Sequence, residues 1–179
     1  MPVFINQLTP ANAAQPGYAT AQVLADQAIR HFDAVRNVGV GIGPASCCAA
    51  FAVTPTNHFP AVGVHPYGVA FGNSRIAAGG LDQGPVGGHA ERCAITAAGN
   101  NGLVPIAPDA VLFVELAPCN GCATWLAGGG GGVVNPYNFG PAGANLYVWY
   151  AFAYPAGVDA MVAFHNTTLA AQLLTAAGW

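Results

Sequence analysis

Two short segments of this 179-residue chain combine side chains that can bind a metal ion. One is His89-Ala90-Glu91, and the other is Pro118-Cys119-Asn120-Gly121-Cys122. Each segment is predicted to open a helix, and a spacing of three places Cys119 and Cys122 on the same helix face. Unpaired amides and the helix dipole of the first turn favour thiolates, the form in which cysteine binds zinc. Neutral His89 would be a third ligand, which leaves the fourth tetrahedral position for water.

Glu91 is the candidate proton carrier beside this metal. It lies two positions after His89, so its side chain points elsewhere on the helix and is not needed as a ligand. A zinc ion acidifies the water that it binds, and a nearby carboxylate can take the released proton. The pattern therefore predicts an open zinc site for hydrolysis, with Zn²⁺ as the cofactor and Glu91 as the catalytic residue.

Cys93 supports a competing interpretation. It lies one helical turn after His89 on the same face, so it could join His89, Cys119 and Cys122 in a closed Cys₃His site. Such a site would have no room for water, and the chain would then be a zinc-stabilised binding module without catalysis. The odd number of cysteines, five, favours metal or thiol chemistry over a disulfide framework in either case.

The elements that position these segments alternate between helices and strands. Hydrophobic periodicity predicts helices over residues 17–36, 89–98, from 119 onward and over 167–177, and strands over 45–53, 64–71, 111–116, 145–154 and 159–165. Glycine-rich loops separate some of them, over 79–88 and 128–132. A short turn between the last two strands indicates an antiparallel pair. The alternation predicts a single α/β domain over residues 1–179.

Three sequence segments resemble the cytidine deaminase-like superfamily of zinc deaminases: FGNSR at 71–75, HAERCAITAAGNNG at 89–102 and PCNGCATWL at 118–126. This superfamily includes free-nucleoside deaminases, tRNA adenosine deaminases, polynucleotide cytosine deaminases and bacterial toxin domains. The resemblance implies a three-layer α/β/α sandwich around a five-stranded mixed sheet, with zinc held between two helix N-termini. It also implies that Asn73 contacts the substrate and that the Ala90 backbone N–H donates to the pyrimidine carbonyl.

Departures from the family pattern bear on the substrate. Ala117 precedes Pro118-Cys119 where many relatives carry Ser, Thr or Glu, and residues 71–74 lack the acidic residue that would grip a ribose. The glycine-rich loop and residues 1–43 look more like toxin-type domains. The resemblance thus implies hydrolytic deamination of cytosine to uracil in nucleic acid, with DNA favoured over RNA, and an immunity protein as a candidate partner. The alternative is a deaminase of free cytidine or deoxycytidine.

Charge limits how a nucleic acid would be bound. Only 6% of the residues are charged, the net charge is −3, and the four positive side chains are all arginines. This balance argues against tight, salt-sensitive binding through a basic face. Arg75 and Arg92 are candidates for neutralising a phosphate, and Tyr137 and Phe139 are candidates for contacting a partner.

Further side chains have a structural interpretation beside the functional one. Trp149, Tyr150, Phe152 and Tyr154 could stack on an extruded base, but alternation along a strand predicts that at least half of them are core. Cys47 and Cys48 are predicted to be small core residues.

The sequence gives no sign of a membrane partner. No apolar run approaches the roughly 20 residues that span a bilayer, and the start MPVFINQLTP has no secretory signal. We expect a soluble protein, in the bacterial cytoplasm or delivered into a target cell as an effector domain.

Overall fold

The computed structural model describes residues 3–37, 46–74, 89–128, 135, 137 and 145–165. Five strands and four α-helices lie in these ranges, with a short 3₁₀ turn at Pro10–Asn12. In chain order they are β1 (Val3–Gln7), α1 (Tyr18–Asn37), β2 (Cys48–Val53), β3 (Gly68–Asn73), α2 (Ala90–Asn100), β4 (Asp109–Leu116), α3 (Asn120–Leu126), β5 (Asn145–Phe152) and α4 (Val158–His165).

The five strands form one mixed sheet in the order β1-β5-β4-β2-β3. β1 and β4 both run parallel to β5, whereas β2 is antiparallel to both β3 and β4. Every residue of β2 is buried, and so are six of the eight residues of β4. These near-continuous apolar runs are typical of strands covered on both faces. The result confirms the α/β fold and the five-stranded mixed sheet.

Two hydrophobic clusters cover the two faces of the sheet. The first joins α1 to the sheet around Phe32, Phe113 and Trp149. The second packs residues of α2 and α3, among them Ile95 and Leu126, on the opposite face. This arrangement is the three-layer packing expected when helices lie on both faces of a sheet.

Gly72 of β3 lets α2 approach the sheet closely. A Cβ atom at this position would lie 2.3 Å from the backbone nitrogen of Ala94 and 2.4 Å from the carbonyl oxygen of Ala90. Real side chains do not tolerate such distances, so glycine is required for this packing. The first turn of α2, which begins one residue after His89, is thereby fixed against the sheet.

The chain termini differ from the predicted elements. Strand β1 completes the sheet but was not predicted from the sequence, because it is a short edge strand whose middle residues are exposed. The strand predicted over 159–165 is wrong, because these residues form helix α4. An apolar run of this length is compatible with the hydrophobic periodicity of a strand or of a helix, and the helix propensities of Ala160 and Met161 favour a helix. The last strand pair is therefore not an antiparallel hairpin.

Other element predictions agree with the structure to within a few residues. The strand predicted over 64–71 begins only at Gly68, since Pro66 cannot donate to a sheet ladder. The loop over 79–88, the segment 129–132 and the helix over 167–177 lie outside the described residues. Within the described ranges, no helix is both long and apolar enough to cross a membrane. The single-domain assignment of residues 1–179 stays a prediction.

Candidate metal centre and active site

The starts of α2 and α3 bring three potential metal ligands together. His89 is the extended residue before α2, and Cys119 holds the same place before α3. Their ligand atoms and the sulfur of Cys122 all lie within 4.8 Å of one another. Cys122 Sγ lies 3.1 Å from His89 Nδ1. The convergence predicted from two separate segments is therefore present in the fold.

These ligands fit Zn²⁺ in number and type. Zinc–sulfur bonds of about 2.3 Å and zinc–nitrogen bonds of about 2.1 Å give tetrahedral ligand separations of about 3.6–3.8 Å. The separations in the cluster, from 3.1 Å between Cys122 Sγ and His89 Nδ1 to at most 4.8 Å, bracket these values. Two thiols with one imidazole form a donor set that zinc prefers. This cluster could hold Zn²⁺ with one position left for a further ligand.

The protonation of Cys122 differs from the simple expectation for a helix start. Burial raises the pKa of the Cys122 thiol far above its usual range, and the neighbouring Glu91 carboxylate and Cys119 raise it further. In the metal-free protein these effects outweigh the helix dipole, which was expected to favour a thiolate. The positive charge of a metal ion is therefore what would release this proton on binding.

Cys93 lies outside the cluster. Among the residues that the structure describes, the only metal-binding group is formed by His89, Cys119 and Cys122. Cys93 is fully buried in α2, and its backbone packs where a Cβ of Gly72 would clash. The geometry thus favours the open three-ligand site over the closed Cys₃His alternative.

Glu91 lies beside this cluster. It is the second residue of α2 and only 5% exposed. The negative charge of Glu91 contributes to the raised pKa of the Cys122 thiol, and Glu91 lines the same cavity as His89 and Cys119. A carboxyl group within reach of a ligand, but outside the ligand set, can exchange protons with a molecule bound at the open position.

The cluster opens into a cavity of about 430 Å³. Its walls come from the residue before β2, the residue after β3, the start of α2, the end of β4 with the segment that follows it, and the stretch from the turn after β5 to the first residue of α4. The lining residues are Cys47, Ser74, His89, Ala90, Glu91, Leu116, Ala117, Cys119, Tyr154 and Val158. A cavity of this size is typical of sites for small molecules.

A comparison with protein families agrees with this geometry. Residues 45–130, just under half of the chain, match the family described as the cytidine and deoxycytidylate deaminase zinc-binding region. The match supports a zinc-dependent deaminase of the cytidine deaminase-like superfamily. No curated protein and no solved structure matches the chain.

The predicted substrate contacts of this deaminase-like region lie at or next to the cavity. Ala90 lines it directly. Asn73, the last residue of β3, is 1% exposed, and the following residue, Ser74, is the one that lines the cavity. Ser74 is held by Cys47, whose N–H donates to Ser74 Oγ at 2.7 Å. Substrate contact by Asn73 stays a prediction.

The structure adds a place in the cavity wall to the sequence interpretations of Cys47 and Tyr154. Cys47 was predicted to be core; it is buried, but it also lines the cavity. Burial and the nearby carboxylates of Glu115 and Glu91 raise the pKa of the Cys47 thiol, so it faces the cavity as a neutral group. Tyr154 is 53% exposed at the rim, whereas Trp149 is fully buried in the core. Only Tyr154 of the four aromatic candidates therefore combines exposure with a place in the cavity wall.

Arg92 connects the two metal-binding helices of the deaminase-like region. Its guanidinium donates to the carbonyl oxygen of Gly121 in α3 at 2.8 Å and lies 5.5 Å from the ring centre of Trp125. The guanidinium thus contacts the protein through one donor and a ring, and neutralisation of a phosphate by Arg92 stays a prediction. Arg75 lies outside the described residues.

Tyr137 packs on the body of the protein. Its hydroxyl donates to the carbonyl oxygen of Leu103 at 2.7 Å, and its ring packs against Phe51. Burial raises the pKa of Tyr137 to about 12. Contact of Tyr137 with a partner stays a prediction, and Phe139 lies outside the described residues.

Proposed function

We propose that this chain is a hydrolytic deaminase that uses Zn²⁺ to convert cytosine to uracil in nucleic acid, with DNA as the substrate. One observation carries the proposal: the Glu91 carboxyl lies beside the three-ligand cluster and faces the same cavity. A structural zinc site has no use for a buried acid at this place. A hydrolytic site requires one, because the attacking water must lose its proton.

The three ligand residues and Glu91 have separate roles in the proposed reaction. Zn²⁺ held by His89, Cys119 and Cys122 would supply an acidified water. Glu91 would accept a proton from the attacking water and donate protons to ring nitrogen N3 and to the amino group, which leaves as ammonia. The water oxygen becomes the new carbonyl oxygen at C4, so cytosine and water give uracil and ammonia.

Ala90 is the proposed donor that orients the base. As the first residue of α2, it has a backbone N–H without an acceptor inside the helix. Ala90 lines the cavity next to Glu91, so this N–H can bind the pyrimidine carbonyl at C2 while Glu91 acts at N3 and C4. Asn73 is proposed to support the sugar side of the substrate from the end of β3.

The choice of a polymer over a free nucleoside is supported by the cavity rim. Tyr154 presents a half-exposed ring on which a neighbouring base could stack. Asn73 is followed by Ser74 and not by an acidic residue that would grip the ribose of a free nucleoside. The Ser74 hydroxyl instead accepts a hydrogen bond from the Cys47 N–H. Because the net charge is −3, binding would rely on stacking and backbone amides and would show a shallow salt dependence.

Deamination of free cytidine or deoxycytidine is the second candidate. It is supported by the cavity volume of about 430 Å³, which suits a whole nucleoside, and by the scarcity of positive charge. In the toxin-type interpretation of the polymer activity, an immunity protein would be a further partner that blocks this cavity.

The deciding experiment incubates zinc-loaded protein with single-stranded DNA, duplex DNA, RNA and free cytidine, and measures uracil or uridine. We expect product from DNA, and none from the Glu91→Gln variant at equal zinc content. Product from cytidine alone would overturn the choice of substrate. No product from any substrate, with zinc fully bound, would favour the non-catalytic binding module.

A further inference from the structure

Next to the cavity, the backbone pairing of β2 with β4 departs from a regular antiparallel ladder. The regular antiparallel register covers Ala49↔Val114, Ala50↔Phe113 and Phe51↔Leu112. The next pair in this register would be Cys48 and Glu115. There the Cys48 N–H donates to the carboxylate oxygen Oε2 of Glu115 at 2.6 Å. A side-chain carboxylate thus occupies the place in which a backbone carbonyl accepts in a regular ladder.

A second side chain bridges the same two strands one residue further on. The Leu116 N–H donates to Cys47 Sγ at 3.4 Å, and both residues line the cavity. Backbone strands in a ladder lie about 4.8 Å apart, and a side chain inserted between them requires a wider separation. The gap between the end of β4 and the start of β2 is therefore set by side chains, and this gap forms one end of the cavity.

The other oxygen of Glu115 reaches a third element. Its Oε1 lies 2.6 Å from Nε2 of His165, the last residue of α4. The Glu115 and His165 side chains are 0% and 1% exposed, and the His165 ring stacks on Phe32 of α1 at 4.2 Å. The first residue of α4, Val158, also lines the cavity.

The buried Glu115 carboxylate, at the end of β4, therefore contacts both the start of β2 and α4, the helix whose first residue lines the cavity. Burying a carboxyl group is costly unless its oxygens are hydrogen-bonded, and the chain has only seven acidic residues in all. A stable core could be completed at lower cost by an apolar residue at this position, as at Val114. The arrangement thus indicates a role in shaping the adjacent site.

We propose that Glu115 and His165 are positioning residues that hold the substrate cavity at its working width. Neither touches the substrate; Glu115 separates β2 from β4, and His165 fixes α4 with its cavity residue Val158. The inference rests on the proposed deaminase activity, since it assigns these residues to the substrate cavity of that same site.

Glu115→Val tests the proposal, with Asp109→Val as the matched control. Asp109 begins the same strand at its far end and accepts a hydrogen bond from Asn145 at 2.8 Å. Loss of this buried hydrogen-bonded group, which lies behind the lining residues Cys47 and Leu116, is expected to raise KM for a cytosine-containing oligodeoxynucleotide by about tenfold, with kcat changed by less than about threefold. Zinc content should stay at one ion per chain, and Glu115→Gln, which keeps an acceptor for Cys48, should restore KM.

Several results would overturn the inference. An unchanged KM in folded Glu115→Val would do so, and so would an equal KM change in Asp109→Val. Loss of zinc from Glu115→Val would assign Glu115 to support of the metal ligands instead.

A second variant covers the case in which Glu115→Val does not fold. His165→Ala leaves the Cys48–Glu115 bond in place and releases only α4. We expect faster amide hydrogen exchange in residues 158–165 and a higher KM, with zinc retained. Wild-type exchange and wild-type KM in this variant would refute the inference. If the wild-type protein deaminates none of the substrates, the proposed function fails, and hydrogen exchange alone decides whether His165 holds α4.

Discussion

Replacement of Glu91 by glutamine separates proton transfer from metal binding. Glutamine has the same shape but cannot accept the proton of the attacking water. A positioned general base contributes about 10²–10⁴-fold to a rate, and Glu91 is almost fully buried, so bulk solvent cannot replace it. We therefore expect kcat to fall by about 10³-fold, equivalent to about 4 kcal/mol of transition-state stabilisation.

The same substitution is expected to affect the candidate metal ligand Cys122. After burial, the negative charge of Glu91 is the largest cause of the raised pKa of the Cys122 thiol. Removing the negative charge lowers that pKa, so the thiolate forms more readily, and zinc should remain at one ion per chain. The assay combines uracil release with zinc analysis of the same sample, and Asp109→Asn is the control for loss of an acid elsewhere. A folded, zinc-loaded Glu91→Gln enzyme with activity within about tenfold of wild type would refute the assignment of Glu91.

Three further predictions concern the cluster and its surroundings. Cys93→Ser should keep zinc at one ion per chain, whereas Cys122→Ser should lose it, because only Cys122 belongs to the ligand group; zinc analysis after gel filtration distinguishes them. Arg92→Leu removes the hydrogen bond to Gly121 and should weaken zinc affinity by about tenfold in a chelator competition. Tyr137→Phe should cost about 1 kcal/mol of unfolding free energy in urea, through loss of the bond to Leu103.

Each of these predictions has its own control or contrary result. Zinc loss from Cys93→Ser would revive the closed Cys₃His site. For Arg92, the control is Arg30→Leu, because Arg30 pairs with Asp26 on the surface of α1; equal zinc affinity in the two variants would contradict the prediction.

The Tyr137 prediction also has a pH dependence. The folded-state pKa of Tyr137 is raised to about 12, so its stabilising effect is complete below its unfolded value near pH ~10 and is lost as pH rises toward about 12. Over this alkaline range the stability of Tyr137→Phe should decline less than that of the wild type. Parallel declines would contradict the burial of this hydroxyl.

The two cysteines could be predicted from sequence as a ligand pair because their geometry is local: a spacing of three at one helix start fixes Cys119 and Cys122 relative to each other. Their approach to His89, which directly precedes α2, was indicated by the full motif and not by local geometry. Strands β2 and β4 could also be predicted, since short continuous apolar runs between loops are typical of strands covered on both faces of a sheet.

The remaining features depend on contacts between distant parts of the chain. The edge strand β1 is recognisable only by its pairing with β5, and the apolar run in α4 suits a strand as well as a helix. Glu115 and His165 meet across 50 positions. One signal could have indicated Glu115: it is the single acid inside an otherwise apolar stretch of β4.

The close approach at Gly72 has a consequence for the distance between the two halves of the metal site. His89 and Glu91 move with α2, whereas both cysteines move with α3. Because the backbone of α2 rests where a methyl group on residue 72 would lie, even alanine there would push the helix outward and draw the imidazole away from the sulfurs. The distance between the imidazole and the two sulfurs thus depends on the hydrogen atom that Gly72 carries in place of a side chain, although Gly72 is not one of the three ligand residues.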